Sequence, residues 1–257
     1  MQTAIKGILF DLGDTILDFG KVDIASLFEA GARLTYEYAA RLRQPLPSFA
    51  KYHRRQLRAI RWSYLKSRIT RREFNALDIM GKIARTMGHN LTHAEVLELA
   101  WLWYEPLSRC ATVEPGVGDM LRRFAGQGMA IGLVSNTFVP GEVLDRHLAQ
   151  HGLLDLLPVR VYSCDVGIRK PDPRIFEIAL GRIGTAAPAT VFVGDSPRAD
   201  IAGANRCGMV SVLKDPAGRH ANGRVRPAYS IKALAELPAI IDRHNGQGRS
   251  AEAAAPS

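Results

Sequence analysis

Polar residues at the ends of four short segments of this sequence can perform phosphate chemistry together. In chain order they are Asp11, Ser135, Lys170, and the pair Asp195 and Asp200. A carboxylate can attack phosphorus as a nucleophile, while a serine hydroxyl and a lysine ammonium can hold phosphoryl oxygens and neutralise their charge. Three carboxylates in one place also offer the oxygen ligands that Mg²⁺ prefers. The residue types therefore predict metal-assisted phosphoryl transfer.

A parallel β-sheet is the element that would bring these residues together. Apolar runs of strand length occur at residues 4–10, 129–135, 159–163, 190–194 and 209–213. Amphipathic segments of helical length alternate with them, at about 116–127, 140–151, 172–184, 198–207 and 233–244. This alternation predicts an α/β fold with a Rossmann-like, doubly wound parallel sheet. Ligands bind beyond the carboxyl ends of such strands, where the polar residues lie.

Residues 19–110 carry no clear strand pattern and instead predict four or so helices. Two capping boxes, Thr70 to Glu73 and Thr92 to Glu95, each indicate the start of a helix. These helices are inserted after the first predicted strand. The sequence thus predicts an inserted α-helical domain on an α/β core.

The domain division follows from these patterns. We expect residues 1–18 and 111–245 to form the core domain and residues 19–110 to form a helical cap domain. The tail at residues 246–257 is composed of small and polar residues without an apolar face. A segment of this kind cannot bury enough apolar surface to order itself, so we expect it to be disordered.

Composition and charge favour a small anionic ligand. No apolar run approaches the roughly 18 residues of a membrane span, and the N-terminus lacks the features of a signal peptide, so we predict a cytoplasmic protein. The net charge is +9, with much of the excess between residues 54 and 72. That basic segment is interpreted as a solvated helix face, an attractor of phosphorylated substrates, or a nucleic-acid surface. We expect a phosphorylated small molecule as partner, no nucleic acid or membrane, and either a monomer or a homodimer.

In these segments the sequence resembles the haloacid dehalogenase superfamily, in its subfamily with a helical cap after the first strand. The four family motifs occur in order, as Asp11-Leu-Gly-Asp-Thr15, Ser135-Asn-Thr137, Lys170 within residues 165–176, and Gly194-Asp195 through Asp200. The resemblance covers about residues 4–242 and is most specific in the last third of the chain.

The resemblance implies a role for each matched residue. Asp11 would form an aspartyl-phosphate, and Ser135 and Lys170 would bind the transferring phosphoryl group. Thr15 and Asn136 would contact the substrate from the first and second motifs. The implied Mg²⁺ site consists of Asp11, the backbone carbonyl of Gly13, Asp195 and Asp200.

The cap of this family closes over the crevice and reaches the leaving group of the substrate. Arg58 and Trp62 are our main predictions for such cap contacts. Further cap residues that could serve are Arg54, Arg61, Tyr64 and Tyr104.

Gly13 departs from the family pattern. Most phosphatases of the family carry a second aspartate at this position, which protonates the leaving oxygen and then activates water. General acid–base help is typically worth about 10²–10⁴-fold in rate, so the difference matters. Asp14, one residue further on, is a candidate substitute, although alternate residues of an extended segment point to opposite sides.

Three functions are compatible with these motifs. The first is a Mg²⁺-dependent phosphohydrolase acting on a small phosphorylated metabolite. The second is a hydrolase of the phosphonatase or dehalogenase type, since both also lack the second aspartate. The third is a catalytically weakened relative that binds phosphate. Dehalogenases need no metal ion, whereas Asp195 and Asp200 resemble a metal-binding fourth motif, and this favours the phosphohydrolase.

Overall fold

The computed structural model describes residues 3–70, 72–220 and 223–253 and contains a six-stranded sheet. The strands are β1 (Gly7–Phe10), β2 (Ala130–Ser135), β3 (Val159–Tyr162), β4 (Thr190–Gly194), β5 (Val210–Lys214) and β6 (Tyr229–Ile231). They pair in parallel in the order β3-β2-β1-β4-β5-β6. The chain builds outward from β1 in both directions, which confirms the predicted doubly wound sheet of the α/β class.

The central strands are apolar on both faces because helices cover both sides of the sheet. On β1, Ile8 and Phe10 pack into one hydrophobic core and Leu9 into the other, and all three are fully buried. Alternation of side chains along a strand produces this division. Strands buried on both faces appear as continuous apolar runs, which makes β1 to β5 recognisable in the sequence. The three-residue edge strand β6 has no such run and escapes sequence-based prediction.

Five of the helices in the described residues follow β1 in succession, and the others lie between or after the later strands. In chain order the helices are α1 (Ile24–Arg41), α2 (Phe49–Thr70), α3 (Ala76–Thr86), α4 (His93–Ser108), α5 (Val117–Gly126), α6 (Gly141–Gln150), α7 (Ser163–Val166), α8 (Pro173–Ile183), α9 (Ala202–Arg206) and α10 (Leu237–Ala253). A π-helical turn at Pro197–Ile201 leads into α9. Among the helices of these described ranges, none has the length and apolar character needed to cross a bilayer.

Helices α1 to α4 form an insert between β1 and α5. The chain enters and leaves the insert through two adjacent segments, where Asp18 and Thr112 exchange two backbone hydrogen bonds of 2.8 Å. Because both crossings lie side by side, the four helices connect to the sheet through one narrow neck. We refer to residues 24–108 as the helical insert; the domain boundaries given above remain predictions.

One of the two predicted capping boxes is present and the other is not. Thr92 caps α4, with its side chain and that of Glu95 satisfying each other's backbone amides. Thr70 instead ends α2, and α3 begins at Ala76 with Asn75 as its cap. The prediction of a helix start at Thr70 is therefore wrong. The physical reason is that Arg169 and Ser163 of the core bind the Glu73 carboxylate, which in a capping box would accept from the backbone of Thr70.

Helix α10 extends further than the composition indicates. Residues 246–253 continue this helix, where we expected a disordered tail. Leu237 and Ile241 are buried at its start, and adding residues to an established helix costs much less than nucleating one. The remainder of the predicted tail, residues 254–257, lies outside the described residues.

A buried histidine joins the helical insert to the core. A hydrogen bond of 3.0 Å connects the Tyr104 hydroxyl of α4 with Nδ1 of His147 in α6. Burial, and secondarily the neighbouring His151, lowers the pKa of His147 to about 4. The imidazole is therefore neutral at physiological pH.

We predict that the His147 contact makes folding stability pH-dependent. Below about pH 6.5 an unfolded chain protonates this histidine, whereas the folded protein resists protonation down to about pH 4. The unfolded state binds more protons in this window, so the free energy of unfolding falls as the pH decreases.

His147→Asn should remove this part of the slope, which amounts to at most about 1.4 kcal/mol per pH unit. Urea unfolding of both proteins between pH 7 and pH 4 measures it, with His93→Asn at an exposed position as the matched control. Stability curves of wild type and His147→Asn that run parallel across this range would contradict the prediction.

Candidate active site

Three neighbouring strands bring the predicted residues to one edge of the sheet. Phe10 at the end of β1 pairs with Leu133 of β2 and with Val193 of β4. Asp11 follows β1 directly, and Ser135 and Asp195 lie at the corresponding ends of β2 and β4. The position of β1 between the other two strands is thus what places the nucleophile candidate between the other groups.

The buried ammonium group of Lys170 connects the site. Its Nζ lies 2.5 Å from Oδ1 of Asp11, 2.7 Å from Oδ1 of Asp200, and 2.7 Å from the carbonyl oxygen of Val134. Lys170 donates hydrogen bonds to Asp11 and to the Val134 carbonyl, and its contact with Asp200 is an ion pair. Lys170 therefore fixes two carboxylates relative to the end of β2.

Asn136 holds the backbone of Lys170 in place. Its amide nitrogen donates to the Lys170 carbonyl at 3.0 Å, and its amide oxygen accepts from the Lys170 backbone N–H at 2.8 Å. We expected Asn136 to bind substrate. It lines the crevice, but both ends of its side chain are engaged in positioning Lys170.

Asp11, Asp195 and Asp200 form an acidic cluster. Each contributes one carboxylate oxygen to a group in which the oxygens lie within 4.8 Å of one another. Asp200 is fixed from below, because its Oδ2 accepts from the Ser196 backbone N–H at 2.9 Å. Gly194 permits this approach, since a Cβ there would lie 2.5 Å from the Asp200 carboxyl group. The geometry is suited to a hard cation with oxygen ligands.

The cluster carries more negative charge than one lysine compensates. Burial, opposed by Lys170 and reinforced by Asp200, raises the pKa of Asp11 to about 7. Burial, followed by Asp200 and Asp14, raises the pKa of Asp195 to about 6. Burial alone would lower the pKa of Lys170, but Asp11 and Asp200 outweigh it and raise that pKa. A cation bound among the carboxylates would relieve their repulsion.

Thr15 supports the first loop from beneath. It is fully buried, its hydroxyl lies 3.5 Å from Oδ2 of Asp11, and its carbonyl accepts from Lys214 Nζ at 2.8 Å. Lys214 is itself buried and pairs with Glu114 at 2.6 Å. We expected Thr15 to contact substrate, but it does not line the crevice. Its contacts make it part of the support of Asp11.

Gly13 and Asp14 both line the crevice. A Cβ at Gly13 would meet only the Phe19 ring, at 3.8 Å, so the space at this position admits a side chain. Asp14 has a left-handed backbone with φ of 56°, and its carboxylate accepts from the Phe19 backbone N–H at 3.4 Å. Asp14 is exposed and lies outside the acidic cluster of Asp11.

The helical insert and the core enclose a crevice of about 460 Å³ above these residues. Besides the polar groups, its lining includes a set that we call the apolar wall: Phe19, Tyr64, Tyr104, Leu107, Phe138 and Val139. Tyr64 and Tyr104 were among the expected cap contacts.

Arg58 and Trp62, by contrast, line a separate depression on the insert, and the expectation that they contact substrate needs correction. Successive helical residues are about 100° apart, so Tyr64 and Trp62 point in nearly opposite directions.

Two charged residues of the crevice carry no signal that we recognised in the sequence. Glu73 of the helical insert lies 3.2 Å from Nε of Arg169, at the joint between insert and core. The pattern around Glu73 matches a capping box, which conceals its tertiary contact. Arg169 precedes Lys170, and this adjacency was the one available indication that it faces the same crevice.

Comparison with known proteins relates this arrangement to a family. A family model described as haloacid dehalogenase-like hydrolase matches residues 5–208. The chain is 27% identical to pyrimidine 5'-nucleotidase YjjG of Escherichia coli, over 54% of this chain and 60% of that protein. It is 28% identical to a glyceraldehyde 3-phosphate phosphatase of Methanothermobacter thermautotrophicus, over 81% of this chain and 85% of that one.

A solved structure, a 2-haloacid dehalogenase from Pseudomonas syringae, has the same fold, with a TM-score of 0.63 and 24% identity over 93% of this chain and 99% of that one. The chain spans less than two thirds of the E. coli relative, so these matches identify the family rather than the substrate. Because the family match extends over most of the chain, the protein belongs to the haloacid dehalogenase-like hydrolases.

Proposed function

We propose that the protein is a Mg²⁺-dependent phosphohydrolase that acts on a small phosphorylated molecule through an aspartyl-phosphate on Asp11. The observation that carries this proposal is the buried Lys170, which bridges Asp11 and Asp200 within an acidic cluster that includes Asp195. Relatives named as a 5'-nucleotidase and as a phosphatase, at 27% and 28% identity, support the same reaction class.

The donor set fits Mg²⁺. Three carboxylates face a single ammonium group, and the raised pKa of Asp195 reflects the excess of negative charge. Asp11, Asp195 and the backbone carbonyl of Gly13 would hold the ion, with Asp200 supporting them. When bound, Mg²⁺ offsets the negative charge that otherwise repels a phosphate dianion from the nucleophile.

Asp11 is the nucleophile of the first step. One of its carboxylate oxygens forms a bond to phosphorus while the bond to the leaving-group oxygen breaks, giving an aspartyl-phosphate and an alkoxide or phenolate that takes a proton from water. Lys170 keeps Asp11 oriented and compensates its charge. The Ser135 hydroxyl, which has no hydrogen-bond partner in the described part of the chain, donates to a phosphoryl oxygen. Water then attacks phosphorus, the bond between phosphorus and the Asp11 oxygen breaks, and phosphate leaves with the Asp11 carboxylate regenerated and a proton released to solvent.

Most phosphatases of the family protonate the leaving oxygen with an aspartate, and this chain lacks that residue. Gly13 has no side chain, and the carboxylate of the neighbouring Asp14 accepts a backbone N–H from Phe19. The protein should therefore favour leaving groups that need little protonation. This distinguishes it from phosphatases that carry an aspartate at the position of Gly13.

A dehalogenase is the second candidate, and the observation that favours it is the absence of a carboxylate at Gly13. An acidic cluster argues against it, because a metal-independent reaction does not require Asp195. Chloride release from haloacetates in the presence of a chelator would support the dehalogenase.

The first experiment is release of phosphate from p-nitrophenyl phosphate and from a panel of sugar and nucleotide phosphates, with Mg²⁺ or with chelator. We expect Mg²⁺-dependent release, since p-nitrophenolate leaves without a proton donor. Asp11→Asn should abolish turnover while the circular dichroism spectrum stays unchanged. Turnover in the chelator, or full activity of Asp11→Asn, would refute the proposed mechanism.

The contribution of Asp195 is tested by the Mg²⁺ concentration that gives half-maximal activity. Asp195→Asn should raise this concentration by more than about tenfold, because the variant removes a charged ligand. Asp14→Asn, which removes a nearby charge outside the acidic cluster, is the control and should change it little. An equal effect of both variants would mean that general electrostatics, and not ligation, is responsible.

Gly13→Asp tests the missing proton donor. The space beside Gly13 admits a side chain, and we expect hydrolysis of aliphatic phosphates to rise by at least about tenfold. Hydrolysis of p-nitrophenyl phosphate should change much less, because its leaving group needs little protonation. Gly13→Asn has the same size without an acidic proton and should show no gain. A gain in both variants would attribute the effect to packing.

A further inference from the structure

The cations of the crevice are already engaged by protein carboxylates. Among the described lining residues, the positively charged ones are Lys170 and Arg169. Lys170 is bound by Asp11 and Asp200, as described above. Arg169 pairs with Glu73 at 3.2 Å and donates from Nη1 to the Ser67 hydroxyl at 3.0 Å. A second anionic group on a substrate would therefore find both positive charges neutralised.

Glu73 is held firmly beside Arg169. Its Oε2 accepts from the Ser163 hydroxyl at 3.0 Å, and its Oε1 lies 3.3 Å from both the Ser67 hydroxyl and the Phe74 backbone N–H. Its side chain is only 2% exposed, whereas that of Arg169 is 29% exposed. The carboxylate has little freedom to move away when a ligand enters. An anionic leaving group reaching Arg169 would also meet the negative charge of Glu73.

The rest of the lining points to an uncharged leaving group. Apolar atoms supply more of the crevice surface than polar atoms do, and the apolar wall, with Phe138 and Tyr104 among its members, contributes to it. Burying apolar atoms against such a surface is favourable, whereas burying an unpaired charge there is costly. The apolar wall favours an apolar leaving group, and Glu73 disfavours an anionic one, so both select an uncharged leaving group.

We propose that Glu73 is a specificity-determining residue that restricts the crevice to phosphate monoesters with an uncharged, partly apolar leaving group. It does so by neutralising Arg169 and by opposing a second anionic group. This inference rests on the proposed phosphohydrolase function, and it names the substrate class for that same site. Selection of this kind works by penalising the wrong ligand as well as by attracting the right one.

Three aryl phosphates test the proposal: phenyl phosphate, 4-carbamoylphenyl phosphate and 4-carboxyphenyl phosphate. The last two have nearly the same size and differ in charge. For the wild type we expect kcat/KM to be at least about tenfold higher for the carbamoyl compound than for the carboxylate. In Glu73→Gln, which keeps the size of the side chain and one of its two acceptor oxygens but removes the charge, this ratio should fall by about the same factor, mainly through KM for the carboxylate. The double variant Glu73→Gln with Arg169→Met should restore it.

Glu98→Gln is the matched control. Glu98 of α4 also joins the insert to the core, through an ion pair of 2.7 Å with Arg146 of α6, but lies outside the crevice. This variant should leave the ratio unchanged. An equal loss of activity toward all three substrates in Glu73→Gln would show that Glu73 only holds the insert against the core, and it would overturn the proposal. A wild type that hydrolyses the carboxylate as readily as the carbamoyl compound would also overturn it.

A binding measurement separates this inference from the proposed reaction. Phenylphosphonate and 4-carboxyphenylphosphonate have no cleavable ester bond, and calorimetry gives their Kd with wild type and Glu73→Gln. We expect weaker binding of the carboxylate in the wild type and a smaller difference in the variant. If this binding difference is found but no ester releases phosphate, the proposed phosphohydrolase reaction is refuted, whereas the role of Glu73 in ligand selectivity is supported. Equal binding of both phosphonates by the wild type would overturn the selectivity.

Discussion

The contact of Lys170 with Asp11 and Asp200 is the interaction on which the rest of the structure depends. An ammonium group taken out of water is costly, and its two carboxylates offset that cost only while all three are held within hydrogen-bonding distance. Removing Lys170 would leave two buried carboxylates without their cation. The close approach at Gly194 and the amide of Asn136 are both arrangements that keep this contact intact.

The strand order makes this contact possible. β1 lies between β2 and β4, so the carboxyl end of β1 is adjacent to both neighbours at the point where the sheet changes its direction of winding. Residues about 160 to 190 positions apart in the sequence meet there. The same edge receives the helical insert, whose neck at Asp18 and Thr112 lies close to the first motif. The acidic cluster and the helical insert that covers it thus lie at the same edge of the sheet.

The segment carrying Lys170 combines two roles in adjacent residues. Lys170 points into the acidic cluster, whereas Arg169 points toward Glu73 of the helical insert. The ion pair that joins the insert to the core therefore also neutralises Arg169. The Arg169–Glu73 ion pair holds the insert against the core and also determines the net charge on that side of the crevice. The shape of the crevice and its charge therefore depend on the same contact.

The sequence by itself determined five of the six strands, the location of the insert and the identity of the acidic cluster, because buried parallel strands are continuous apolar runs and their ends carry the polar residues. Tertiary structure alone decided which side chains face the crevice. Helical phase turns Trp62 away and Tyr64 inward, and Thr15 is buried beneath its loop. A local pattern also cannot reveal a distant partner, so Glu73 resembled a helix cap until the fold brought it to Arg169.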